Sequence, residues 1–114
     1  MQLQLPMLTY YAGPRLVPVD VLAGITSYRA AVRMCWMLRT RSSLSKRVLA
    51  EEAGLYASHV TDYLSELESK RELPAKHVPA MEVACGNRVI TQWLVRQANL
   101  TIVEQFIQPQ QVAA

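Results

Sequence analysis

No apolar run in this 114-residue chain approaches the ~20 residues that a membrane-crossing helix requires, so no membrane association is expected. Nor is a secretory leader expected: Met1 to Leu8 has no positive start, and Pro6 interrupts its short apolar stretch. The residue orders of familiar enzymes are absent. There is no glycine-rich phosphate loop, no Ser/His/Asp series of recognisable spacing and no acidic pair in a metal pattern, so neither catalysis nor a bound cofactor is expected. Cysteine is scarce: Cys35 and Cys85 stand alone, and His59 and His77 lie on other predicted elements, so a zinc set is not expected. Both cysteines read as small core hydrophobes that a cytosol keeps reduced. Charge is sparse too, at 18% of residues against 51% hydrophobic, which argues for one packed domain rather than a disordered chain.

The charge that is present is unevenly placed. The formal net charge is only +3, yet Arg29, Arg33, Arg39, Arg41, Lys46 and Arg47 follow one another between Asp20 and Glu51 with no acidic residue among them. From Leu55 onward the balance reverses, and Lys70, Arg71, Lys76, Arg88 and Arg96 are outnumbered by acidic residues. A basic stretch of this kind is either a solvated helix face or a set of phosphate contacts.

The segment Leu49 to Leu64 carries the most information. It reads as a helix, a three-residue turn and a second helix, the unit that lays one helix in a DNA major groove. Ala50 is small where two such helices must cross closely. Gly54 stands where the first helix must stop in a left-handed conformation, which a residue without Cβ adopts cheaply. Leu55 then turns inward as the plug of the corner, and Val60 and Leu64, four apart, set an apolar stripe against the first helix. The outward positions Ala57, Ser58, Thr61, Asp62 and Ser65 are small or polar, so a base edge can approach them.

This pattern resembles the helix-turn-helix of the Cro and repressor proteins of lambdoid phages. There an Ala, a Gly four residues on, an aliphatic residue after the Gly and a β-branched residue six after it recur; here these are Ala50, Gly54, Leu55 and Val60. The stretch Ser65 to Gly86, with Arg71 to His77 and Ala84-Cys85-Gly86, is similar to short prophage regulators with the same core. The resemblance covers roughly Ser45 to Ala98. Two departures stand out: Tyr63 occupies a position usually aliphatic, and the second helix contains no Arg or Lys.

The resemblance implies an all-α, lambda-repressor-like fold. It further implies a sequence-specific regulator of phage or prophage type, a repressor more often than an activator, acting as a homodimer on double-stranded DNA in the cytoplasm and nucleoid of a bacterial host. Carried over residue by residue, the contacting positions are Tyr56, Ala57, Ser58, Thr61, Asp62 and Ser65. The methyls of Ala57 and Thr61 suit a thymine methyl, and Asp62 suits a cytosine amino group. Lys46 and Arg47, at the start of the preceding helix, are candidate phosphate contacts. The alternative is a helix-turn-helix turned to protein contact, as in a phage antirepressor or a factor that takes over a host protein.

Along the chain, about five helices are expected. Residues 1–20, with Pro6, Pro14, Pro18 and Gly13, read as an N-terminal arm in which Gln2 to Leu5 alternates like a short strand. The domain proper spans 21–98. Its first helix is expected from about Val21 to Thr40, with Val21, Ile25, Tyr28, Val32, Cys35 and Trp36 facing inward and an unusually apolar opposite side of Ala30, Met34 and Met37. Ser43 or Ser45 caps the next helix, about Lys46 to Ala53. The recognition helix is expected over 57–67. A fourth helix opens near Leu73-Pro74 with Val78, Met81 and Cys85 inward and ends at Gly86; Asn87 caps a fifth with Ile90, Trp93, Leu94 and Gln97 on one side. Residues 99–114 form a C-terminal segment, in which Leu100 to Ile107 suits either a strand or a helical turn and offers a dimerisation element.

Overall fold

The computed structural model describes residues 13–102, and within them the chain forms six α-helices and one 3-10 turn. We label them α1 (Val19–Ala23), α2 (Tyr28–Met37), α3 (Lys46–Ala53), α4 (Ala57–Tyr63), α5 (Val78–Cys85) and α6 (Val89–Ile102), with the 3-10 turn at Ala75–His77 leading into α5. The all-α expectation holds: the described residues contain no strand, only an isolated parallel bridge between Arg15 and Asn87. None of these helices is long and apolar enough to cross a membrane. The alternating segment near the N-terminus and the residues after Ile102 lie outside the described part.

The long first helix expected over Val21 to Thr40 is two helices. Gly24 closes α1, the Ile25 amide bonds back to the Leu22 carbonyl (3.1 Å), and Ser27 restarts the helix by accepting from the Ala30 amide (3.1 Å). A glycine followed by a good N-cap therefore outweighs the continuous apolar period. The inward stripe survives the break. Ile25, Val32 and Cys35 are buried, joined by Leu22 and Ala31, while Val21, Tyr28 and Trp36 are partly covered. Ala30 and Met34 also pack on the core, so only Met37 of the apolar opposite side is open to solvent.

Both helix ends at which glycine was expected to turn the chain are left-handed. Gly54 has φ 71° and Gly86 φ 79°. Pro79 sits in the first turn of α5, where its missing N–H costs nothing. Asn87 serves both neighbours, accepting from the Val89 amide (3.3 Å) and donating to the Cys35 carbonyl (2.9 Å). Glu82, buried to 1% exposure, caps α6 from outside: its carboxylate accepts from the Thr91 amide (2.8 Å) and hydroxyl (2.7 Å), free donors of that helix's first turn. Ile90 and Trp93 are buried as expected, but Leu94 and Gln97 face out, because the covered side of α6 runs through Val89.

The segment before α1 is fastened to α6. Gln92 accepts from the Val17 amide (2.9 Å) and donates to the Val17 carbonyl (3.1 Å), and Arg15 bonds to Gly86 and Arg88 through its backbone. Trp93 completes the junction by donating to the Ile25 carbonyl (3.0 Å). The described end of the arm thus packs on the domain.

The two left-handed glycines differ in what surrounds them. Among the described residues a Cβ at Gly54 meets nothing within 4 Å, whereas one at Gly86 runs into the Thr40 side chain, 3.1 Å from its Cβ. Thr40 cannot withdraw freely, since its amide donates to the Cys85 carbonyl (2.8 Å). Gly54→Ala is therefore expected to cost about 1–2 kcal/mol, the backbone penalty alone. Gly86→Ala adds an overpacking cost of about 1–3 kcal/mol. Urea denaturation of the two variants checks this ordering.

Tyr28 gives a second test. Its phenol donates to the Leu73 carbonyl (2.7 Å), and burial, then the charges of Glu72 and Glu82, push its pKa up from 10.0 to about 12. A raised folded-state value means the contribution is complete below pH 10 and lost as pH rises toward 12. Stability measured across that window should fall more steeply in the native chain than in Tyr28→Phe.

Candidate nucleic-acid interface

The surface singled out by sequence is built on the pair α3 and α4. Ser45 starts α3 by accepting from the Val48 amide (3.2 Å), and the Leu55 amide donates back to the Ala50 carbonyl (2.8 Å) to close its other end. Ala50 and Ala53 are buried at the crossing, Leu55 is partly covered, and α4 presents Val60 and Tyr63 to the core. Tyr63, aromatic where the resembled family is usually aliphatic, is accommodated in that core. Tyr56, Ala57, Ser58 and Thr61 are exposed, Tyr56 to 74%. Asp62 and Ser65 are half-buried at the edge of the same helix face, and Lys46 and Arg47 are exposed on the first turn of α3.

The α4 helix ends earlier than expected, at Tyr63 rather than near Leu67, because two arginines from α2 take its last carbonyls. Arg29 is the larger cause. This guanidinium is 3% exposed and donates through Nη1 to the carbonyls of Asp62 (2.8 Å) and Ser65 (3.0 Å), and through Nη2 to those of Lys70 and Arg71. Arg33 adds a bond from Nε to the Leu64 carbonyl (3.2 Å) and an ion pair with Glu66 (3.0 Å). With its acceptors engaged, the chain turns at Leu64, and Ser65 holds the turn by accepting from the Leu67 amide (3.1 Å).

Much of the basic stretch is likewise committed inside the protein. Arg39 lies over the Trp36 ring, 4.1 Å from its centroid, and donates to the Trp36 carbonyl (3.1 Å). Arg41 forms a two-bond pair with Glu52 (2.7 and 3.1 Å) and reaches the Ala84 carbonyl (3.1 Å), tying the end of α3 to the end of α5. That pair holds the Glu52 carboxyl below its usual range, and it explains an acid at a helix C-terminus that the helix dipole disfavours. Arg47 makes only a long, exposed contact with Glu51 (3.5 Å). Arg41 stays exposed although paired, so Lys46 and Arg47 are the members of this stretch that, among the described residues, are both exposed and bound to no other element.

Asp62 has a partner that sequence reasoning missed. Arg71, from the loop after α4, pairs through Nε with the Asp62 carboxylate (2.9 Å) and through Nη1 with Nε2 of His59. His59 itself sits edge-on between Tyr56 (5.0 Å between centroids) and Tyr63 (6.2 Å). Spacing along the sequence places His59 and Asp62 on one side of a helix, but nothing in it brings Arg71 to them.

The cysteines lie elsewhere, both buried where α2 meets α5. A hydrogen bond to Cys85 and burial push the Cys35 thiol well above its ordinary range, which keeps it un-ionised and unreactive. Among the described residues, no group of three or more His, Cys, Asp or Glu side chains is placed to hold a metal ion. Comparison with protein-family models, curated proteins and solved structures found no match for this chain.

The Arg29 cluster makes a direct prediction. Lysine carries the same charge as a point, and three donors on one nitrogen cannot span the four carbonyls that the guanidinium reaches, so Arg29→Lys should destabilise the fold by about 3 kcal/mol, comparable to breaking a buried charge network. Hydrogen exchange should show the amides of α4 losing protection before those of α6.

Proposed function

We propose that this protein is a sequence-specific double-stranded DNA-binding regulator of phage or prophage type, with α4 as the helix that enters the major groove. One observation carries the reading. A short helix fixed to its neighbour by a left-handed glycine turn presents Ala57, Ser58 and Thr61, small or hydrogen-bonding and all exposed, while Lys46 and Arg47 are exposed on the first turn of the preceding helix. In this reading Ser58 and Thr61 bond to base edges, the methyls of Ala57 and Thr61 meet thymine, Tyr56 and Ser65 border the contact, and Lys46 and Arg47 hold phosphates. Binding over a promoter excludes polymerase, so the regulator acts as a repressor in the cytoplasm of a bacterial host.

One helix reads few base pairs, so useful specificity calls for a homodimer on two half-sites about one helical turn apart. The surface that supports pairing is the groove between α1 and α6, about 480 Å³, with Leu16, Val19, Val95 and Leu100 along it.

The second reading, contact with a host protein, draws on a specific observation. Arg29, Arg33, Arg39 and Arg41 are engaged inside the protein, which leaves a thin cationic footprint for DNA. Selection of duplexes from a random pool, followed by competition binding at several salt concentrations, separates the two. Thr61→Ala is expected to shift the preferred site at a cost of about 1–3 kcal/mol on the original one, and Lys46→Ala to weaken all sequences alike with a salt slope smaller by about one. Failure to enrich any duplex, or a Thr61→Ala variant with unchanged preference, favours the protein-contact reading.

A further inference from the structure

We propose that Arg71 is the phosphate-binding cation of the recognition surface, and that Asp62 is a positioning residue acting through it rather than a reader of bases. The inference rests on the DNA-binding reading above and deepens it. The recognition helix has no cation of its own, and a bare carboxylate on its face repels the phosphate backbone. The fold supplies what the helix lacks. The Arg71 backbone is fixed from below, because buried Arg29 bonds the carbonyls of Lys70 and Arg71 with the same guanidinium that holds Asp62 and Ser65 at the helix end. From that anchored loop the Arg71 side chain crosses to the helix, where Asp62 takes Nε at 2.9 Å and His59 takes Nη1.

Arg33 and Arg41 each pair with a glutamate and also bond a backbone carbonyl, so they bridge one element to another. Arg71 bonds only side chains of the recognition helix among the described residues, and its own side chain stays 53% exposed. The pair does two things at once: it neutralises the acid on the helix and holds a guanidinium, with donors to spare, at the rim of the surface that meets DNA. A phosphate contact held at a fixed place sets the register of the helix in the groove, so loosening it blurs specificity even though the contact carries no base information.

The test uses fluorescein-labelled duplexes selected by the wild-type protein, with a scrambled duplex of equal length, in anisotropy titrations at three salt concentrations. Arg71→Gln keeps a side chain able to hydrogen-bond Asp62 but removes the charge. It should weaken both duplexes about tenfold and lower the salt slope by about one. A partly unfolded variant would lower the amount of active protein and leave the slope unchanged, so slope separates contact from folding. Asp62→Asn should narrow the ratio of selected to scrambled affinity about fivefold when Arg71 is present and leave that ratio unchanged in the Arg71→Gln background. An unaltered slope in Arg71→Gln overturns the proposal. So does an Asp62→Asn effect equal in both backgrounds, which would make the carboxylate itself the base contact. If the wild-type protein binds no duplex, the DNA reading falls and this inference falls with it; if it binds and loses affinity in Lys46→Ala but not in Arg71→Gln, only the assignment of Arg71 fails.

Discussion

A single buried guanidinium determines how the candidate surface is built. Arg29 sits among apolar side chains of α2, where an unpaired charge would be severely destabilising, and the fold answers by turning four backbone carbonyls toward it. Those carbonyls belong to the last turn of α4 and to the loop that follows. The same contacts that satisfy the cation therefore stop the recognition helix at seven residues, set the path of the chain after it and fix that helix to α2. Its Nε has no partner among the described residues, so within them the cluster is well but not completely satisfied.

This arrangement changes what the basic stretch means. A run of cations without acids looks from sequence like a phosphate-binding face, yet in the fold most of it stabilises turns and helix ends. Arg33 and Arg41 hold carbonyls and glutamates, and Arg39 stacks on Trp36. What the proposed DNA contact can draw on is local: Lys46 and Arg47 in the first turn of α3, and Arg71 beside α4. Under the proposed function, a small charge set of this kind would make affinity for DNA modest and register important.

Much of the fold was legible because local chemistry and tertiary packing agree. The limits of α3, the left-handed turns at Gly54 and Gly86, the Ser45 and Asn87 caps and the inward positions of Val60, Val78, Met81 and Ile90 all follow from residue type and spacing. The errors arose where long-range contacts decide. The break at Gly24 to Ser27 hid within a continuous apolar period, and α4 ends where arginines from another helix intercept its carbonyls. Arg29 did leave a trace, since an arginine one residue from Tyr28 on an inward stripe must find acceptors. The Asp62–Arg71 pair and the Glu82 cap on Thr91 left none, because each joins residues about nine positions apart across a turn whose path only the folded chain defines.

If the protein binds DNA as proposed, the duplex lies against α4 and its flanking cations. Amide chemical-shift mapping during titration with a selected duplex tests it most directly. The largest changes are expected at residues 45–47, 56–62, 65 and 71, with α6 little affected apart from any change on pairing. Changes centred on the groove between α1 and α6, with α4 silent, would contradict it.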